Sequence, residues 1–268
     1  MTQIIAIVNN KGGVGKTTTA INLATAMAST DKKVLIIDLD PQGNASTGLG
    51  VDPAARKNSS YDLLIRERSL EDVTATTPIP GLSVVPSNMD LSGAEIDLVD
   101  LENREYRLKN ALEKASMTYD YVLIDCPPAL GFLTVNALTA ANRVLVPLQC
   151  EFYALEGLSH LLRIVNRVKR GLNPHLDLQG IVLTMYDKRN NLCDQVAEDV
   201  RDHLGEKVYE TVIPRNVRVS EAPSHGKPVL LYDHRCAGSK AYMHLAGEFL
   251  RREKAIGYPE RGFEGAVL

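Results

Sequence analysis

The chain has 268 residues, 44% hydrophobic and 24% charged, with a formal net charge of -3, enough for a substantial core and ordinary for a globular protein. Aromatics make up 5% and tryptophan is absent, which argues against an aromatic stacking platform for single-stranded nucleic acid. Residues 1–150 carry 13 Lys and Arg against 17 Asp and Glu, while residues 151–268 carry 17 against 16, so a basic surface is local and belongs to the C-terminal half.

The first predicted element is a strand, "QIIAIVN" (3–9), starting so early that no signal peptide fits ahead of it. It runs into "NKGGVGKTTT" and then a helical pattern over 16–29. Strand, glycine-rich loop and helix in that order are the context of a phosphate-binding loop. Gly12, Gly13 and Gly15 let the backbone amides of the loop, Val14 included, turn toward phosphate oxygens. The N-terminus of the helix, with Thr18 in its first turn, adds a positive end. Lys16 is placed to reach the β- and γ-phosphates, and Thr17 to put its hydroxyl on Mg²⁺. Two departures stand out: Asn10 replaces the first glycine of G-x-x-x-x-G-K-[ST], and a second lysine, Lys11, precedes Lys16 by five residues.

The next strand, "KVLIIDLD" (33–40), ends on Asp38 and Asp40, alternating residues that share one face. Asp40-Pro41 alone would suit a turn. Beside a phosphate loop, Asp40 is assigned to the hydrolytic water and Asp38 to the surroundings of Mg²⁺. Residues 43–81, rich in Gly, Asn, Ser and Pro, read as loops with a short helix near 60–66. A strand at 82–87 and a helix at 104–117 follow. "YDYVLIDCPP" (119–128) is an apolar strand ending in Asp125, the Walker B position facing the metal. Helices at 131–141, 154–171, 192–204 and 239–254 alternate with strands at 143–149, 178–186 and 207–214. After Gly257 the chain reads as a frayed tail (257–268).

Strands apolar on both faces and alternating with helices predict an α/β fold: a P-loop NTPase with a mostly parallel twisted sheet flanked by helices on both faces. Residues 1–268 read as a single domain. Cys126, Cys150, Cys193 and Cys236 form no C-x-x-C pair and read as reduced thiols, not metal ligands. No apolar run approaches the ~20 residues that span a bilayer, so a soluble, cytoplasmic protein is expected.

The signature K-G-G-x-G-K-T (11–17), followed by "DLDPQGNASTGLG" (38–50) and "IDCPP" (124–128), resembles the ParA/MinD family of P-loop ATPases, and within it the chromosomal ParA or Soj type. "VPLQCEFYALEGL" (146–158), "VLTMYD" (182–187) and "VIPRNVRVSEAPSHGKP" (212–228) extend the likeness over nearly the whole chain. The resemblance implies a homodimer formed on ATP binding, in which Lys11 crosses to the partner's phosphates. It also accounts for Asn10, since the family commonly carries an amide there. Without the resemblance, a solvated Lys11 is an equal reading. The N/T-K-x-D motif of guanine readers is missing, so ATP is expected. The resemblance places the adenine near Pro214, Arg215 and Asn216, although Pro214 reads equally as a strand stop.

By the same resemblance the ATP-bound dimer binds double-stranded DNA without sequence preference, through Arg189 and Arg218. Lys227, Arg235 and Lys240 are open between that role and ordinary solvation. A ParB-type centromere-binding protein would stimulate slow hydrolysis, and the protein would be nucleoid-associated. The alternative is a MinD-like membrane-cycling ATPase, whose basic amphipathic C-terminal helix is not evident here. An iron–sulfur carrier is discounted because Cys126 directly follows Asp125, and a metabolic ligase or kinase is the remaining rival.

Overall fold

The computed structural model describes residues 2–116 and 118–255; the tail expected at 257–268 lies outside the described residues. Among these, seven strands form one sheet: β1 (Gln3–Ile7), β2 (Val34–Asp38), β3 (Ala75–Thr76), β4 (Leu82–Val85), β5 (Tyr121–Asp125), β6 (Arg143–Gln149) and β7 (Asp177–Thr184). Their order is β3-β4-β2-β5-β1-β6-β7, and only β3, on β4, pairs antiparallel. The two-residue β3 gives a short, blunt edge.

Alternate residues of each inner strand enter different cores. Leu35 and Ile37 of β2 join Val122 and Ile124 of β5 beneath the helices Phe132–Ala140, Ala154–Gly171 and Asn191–Leu204. Val34 and Ile36 join Leu123 beneath the helices Lys16–Ala28 and Ala237–Ala255. Asp38 and Asp125 continue the second set, so both carboxylates face the side that carries the Lys16–Ala28 helix. They are also direct register partners across β2 and β5, and Ile7 of β1 pairs with Asp125. The carboxyl ends of three parallel strands thus meet where β1 turns into the glycine loop, the usual ligand crevice of such sheets.

The strand expected at 207–214 does not form. The segment runs beside β7 and its end with isolated bridges, Ile181 to Val208 and Tyr186 to Pro214, and two amides, of Tyr209 and Ile213, that donate to the Ile181 and Leu183 carbonyls (2.9 and 2.8 Å). The amides of Glu210 and Thr211 are instead taken by the Glu248 carboxylate, at 3.0 and 2.9 Å. Pro214 has no N–H to offer a ladder. The stretch 43–81 is more ordered than its composition suggests, with short helices at Asn44–Gly48, Ser60–Leu64 and Leu70–Val73. The Ser60–Leu64 helix is set by a capping box, in which Ser59 and Asp62 satisfy one another's backbone amides. An unexpected helix, Leu91–Asp97, follows β4.

Candidate functional site

The glycine loop owes its shape to backbone that side chains resist. Gly13 and Gly15 have φ of 77° and 87°, the left-handed region that glycine enters without strain. A Cβ at Gly12 or Gly13 would meet nothing within 4 Å, so the loop opens onto free space on that side. Three contacts hold it from behind. Asn9 donates to the Pro147 carbonyl (2.8 Å), and its own amide oxygen accepts from the Lys11 backbone (2.9 Å). Thr184, at the end of β7, donates to the Val14 carbonyl (2.8 Å). The sequence pattern pointed to neither Asn9 nor Thr184, because each acts from outside the motif.

The two lysines have separate environments. Lys16 is 6% exposed, and its Nζ donates to the Lys11 carbonyl at 2.9 Å. Burial pushes its pKa down, and Asp125 is the foremost charge opposing that shift. Lys11 points outward: its side chain is half exposed and pairs with Glu151 at the mouth of the site. Asn10 is half-buried, and its amide oxygen, shielded near Gly157, has no hydrogen-bond partner.

Asp38 is fully buried, accepting from the Asp40 amide (3.2 Å), the Ser46 amide (2.9 Å) and the Ser46 hydroxyl (2.7 Å). Burial pushes its pKa up to about 6 against these bonds, and the nearby charge of Asp40 adds to the rise. Asp125 is equally buried, and neither carboxylate oxygen finds a partner at hydrogen-bonding geometry. Burial raises its pKa well above the usual range and the charge of Asp38 raises it further, while the Thr17 hydroxyl and Lys16 pull the other way. Asp40 is partly exposed at the mouth, where its carboxylate accepts from the Gln42 amide (3.0 Å). Behind Asp125, burial keeps the Cys126 thiol protonated.

An orphaned buried carboxylate beside a hydroxyl fits a divalent cation. No group of three or more His, Cys, Asp or Glu among the described residues could hold a metal. A hard cation here would therefore rely on Thr17, the Asp125 region, water and ligand phosphate, as Mg²⁺ commonly does. The raised pKa values carry a sign. Groups that bind protons more tightly when folded stabilise the fold at low pH and lose that contribution as pH rises through the folded pKa. Without nucleotide or metal, Asp125→Asn should therefore unfold at higher denaturant than the parent at pH 7. That advantage should shrink toward pH 4, where the parent carboxyl is itself protonated. Urea melts at the two pH values measure it, and a variant less stable than its parent at pH 7 would contradict the assignment.

Arg56, unremarkable in sequence, is 6% exposed and braces the loop after Asp40. Its guanidinium donates to the Gly43 carbonyl (3.1 Å), the Thr47 hydroxyl (2.8 Å) and the Val51 carbonyl (2.7 Å). On the far side of that loop, Gly50 and Gly226 meet backbone to backbone: a Cβ on Gly226 would lie 3.2 Å from the Gly50 Cα. The segment 212–228 therefore rests directly on the carboxylate loop.

The residues expected around a base are only partly together. A groove of about 650 Å³ is lined by Tyr186, Arg189, Pro214, Arg215, Lys240 and His244 among others. It begins just past Thr184 and Met185, which lie against Gly15. Pro214 and Arg215 line it, whereas Asn216 uses its side chain to cap the helix Val217–Glu221, accepting from the Arg218 amide (3.0 Å). Arg189 is also in this groove, with its fork on Asp187 (2.9 and 2.7 Å), holding that carboxyl far below its usual range. Arg218 pairs with Glu221 (3.0 Å) and Asp233 (3.6 Å). Both arginines are exposed, and each is engaged by acids of its own chain. The sequence reading missed a row on the Ala154–Gly171 helix: Arg163, Arg167 and Arg170 are exposed along one face.

Comparison with known proteins agrees with this geometry. A family model described as "AAA domain" matches residues 2–178. The chromosome partitioning protein ParA of Caulobacter vibrioides is 60% identical over 254 residues, covering 94% of this chain and 95% of the relative. The sporulation initiation inhibitor protein Soj of Bacillus subtilis is 53% identical over 248 residues, covering 92% and 98%. A crystal structure of cobyrinic acid a,c-diamide synthase from Mycobacterium smegmatis, with bound ADP and magnesium, superposes with a TM-score of 0.83 at 38% identity, covering 95% of this chain and 96% of that one. With the deviant lysine, the paired strand-end aspartates and this likeness along almost its full length, the chain belongs to the ParA/Soj family of chromosome-partitioning ATPases.

Proposed function

We propose that the protein is an ATP-driven switch: Mg²⁺ and ATP close two chains into a dimer that binds DNA without sequence preference, and a ParB-type partner stimulates hydrolysis to release it. Bound ATP would supply the phosphoryl group and Mg²⁺ would neutralise its charge. The chain's own residues then have distinct tasks. Gly12, Gly13, Val14, Gly15, Lys16, Thr17 and Thr18 cradle the phosphates; Thr17, Asp38 and Asp125 serve the metal; Asp40 orients water; Lys11 serves the neighbouring chain. Nucleotide with Mg²⁺ in a close relative supports the cofactor assignment.

The observation that carries this reading is the division between the two lysines. Lys16 is buried in its own loop, so the phosphates have an internal cation. Lys11 projects from the mouth to Glu151, where a second chain could meet it. Size-exclusion chromatography with light scattering, run with ATP, with ADP and without nucleotide, tests it. A dimer should appear with ATP alone, and a monomer under all three conditions defeats the reading. The membrane-cycling alternative gains nothing from the Ala237–Ala255 helix, which spends Tyr242, Leu245 and Phe249 on the core.

For DNA, Arg189→Glu and Arg218→Glu should each weaken retention of duplex several-fold and flatten its salt dependence by about one charge, with ATP hydrolysis kept. Mobility shifts at two salt concentrations measure it. Unchanged retention in the double variant would remove both arginines from the DNA surface.

A further inference from the structure

Ser46 lies outside the roles assigned so far, yet it makes two of the three hydrogen bonds that reach the Asp38 carboxylate. It belongs to the short helix Asn44–Gly48, whose N-cap is Gly43. Glycine has no side chain to satisfy the free amides of a first helical turn. The Ser46 amide, one of those donors, goes instead to Asp38 at the end of β2, at 2.9 Å. Arg56 fixes the residues on either side, donating to the Gly43 carbonyl and the Thr47 hydroxyl.

The bond from the Ser46 hydroxyl has only one possible direction. That oxygen accepts from the Ser87 amide at 3.0 Å, and an amide N–H can only donate. Its single proton is therefore directed to Asp38, at 2.7 Å. Ser46, Ser87 and Asp38 are all 0% exposed, so bulk water does not compete for these bonds.

Counting lone pairs shows what this does to Asp38. An ionised carboxylate has about four acceptor positions, two on each oxygen. Both bonds from Ser46 fall on Oδ2 and fill it. Among the described residues, Oδ1 accepts only from the Asp40 amide, at 3.2 Å. One acceptor position therefore stays uncommitted on that oxygen. Asp125, the register partner of Asp38, has both its oxygens without a partner at hydrogen-bonding geometry. Ser46 thus decides which oxygen of Asp38 is spent on the protein.

We infer that Ser46 is a positioning residue of the metal site: by saturating Oδ2 it reserves Oδ1 of Asp38 for the water shell of a divalent cation bound with the nucleotide. The inference deepens the Mg²⁺ and ATP reading above and rests on it. Ser46 acts only through Asp38. Outer partners of this kind are commonly worth about 10–100-fold in metal affinity.

The probe is Mn²⁺, whose free-ion paramagnetic resonance signal falls on binding, titrated into the full chain with a non-hydrolysable ATP analogue. Ser46→Ala deletes the hydroxyl, Ser46→Cys keeps its bulk with only a weak donor, and Ser46→Thr keeps the hydroxyl. The Ala and Cys variants should each bind Mn²⁺ about 10–100-fold more weakly, and the Thr variant within about threefold of the parent. Affinity for the analogue in EDTA should stay within about twofold in all three, because the loop amides and Lys16 are untouched. The Mg²⁺ concentration for half-maximal hydrolysis should rise with the Mn²⁺ constant, while the rate at saturating Mg²⁺ is largely kept. A merely structural Ser46 predicts a lower urea midpoint with metal affinity unchanged. Parent-like Mn²⁺ binding by the Ala and Cys variants, or a Thr variant as weak as Ala, overturns the inference. If Ser46→Ala does not fold, Ser46→Cys, close to serine in size, carries the same test. A parent that binds neither Mn²⁺ nor the analogue sinks the function proposed above together with this inference. A parent that binds both, with its variants alike, sinks the role of Ser46 alone.

Discussion

Lys11→Ala is expected to bind ATP almost as its parent does, to remain monomeric with ATP, and to lose ~10³-fold or more in hydrolysis, the scale of a cation supplied in trans. The nucleotide should still bind because the internal cation is Lys16, which is buried and held by the Lys11 backbone carbonyl rather than by its side chain. That carbonyl persists in alanine, and the loop amides keep their anchor on Asn9. Lys11 itself contributes only an exposed pair with Glu151 to the single chain, the kind of contact whose loss is worth ~0–1 kcal/mol. Stability should therefore hardly change, and light scattering should report the loss directly. A Lys11→Ala protein that still forms the ATP dimer would return this lysine to ordinary solvation.

Asp40→Ala should behave in the opposite way, with an ATP-bound dimer that persists and hydrolysis down ~10²–10⁴-fold, as for loss of a group that positions a nucleophile. Asp40 has a second possible task, since its carboxylate accepts from the Gln42 amide and could serve only to shape the turn. Asp40→Asn separates the two. The amide oxygen keeps the turn but lacks the charge, so a hydrolytic role predicts that Asn fails as Ala does. Phosphate release and dimer lifetime, measured side by side, settle the matter; brisk turnover by the Asn variant assigns Asp40 to the turn alone.

The phosphate loop was legible because its chemistry is local. Glycines, Lys16 and Thr17 must follow a strand at fixed spacing, and the structure puts them there. Asp38 and Asp125 were legible as strand ends, though not their register partnership, which depends on a strand order that no local pattern encodes. The segment 207–214 misled because its apolar residues look like a strand, while Glu248, distant in sequence, takes the amides a strand would need. Arg56, Asn9 and Thr184 were invisible for a related reason: each works through side-chain bonds to carbonyls or a hydroxyl that no local motif encodes. Asn216, expected near the base, spends its side-chain oxygen on the cap of the helix Val217–Glu221, a use that sequence pattern does not distinguish from a ligand contact.

The crossing of Gly50 over Gly226 has a mechanical meaning. With no side chain between the two main chains, there is nothing soft to absorb a push. A rearrangement of the loop that follows Asp40, braced underneath by Arg56, must be handed on to the turn behind Arg218. In the switch proposed above, loss of a terminal phosphate beside Asp40 would have this contact as a stiff route toward Arg218, with two glycines as the bearing.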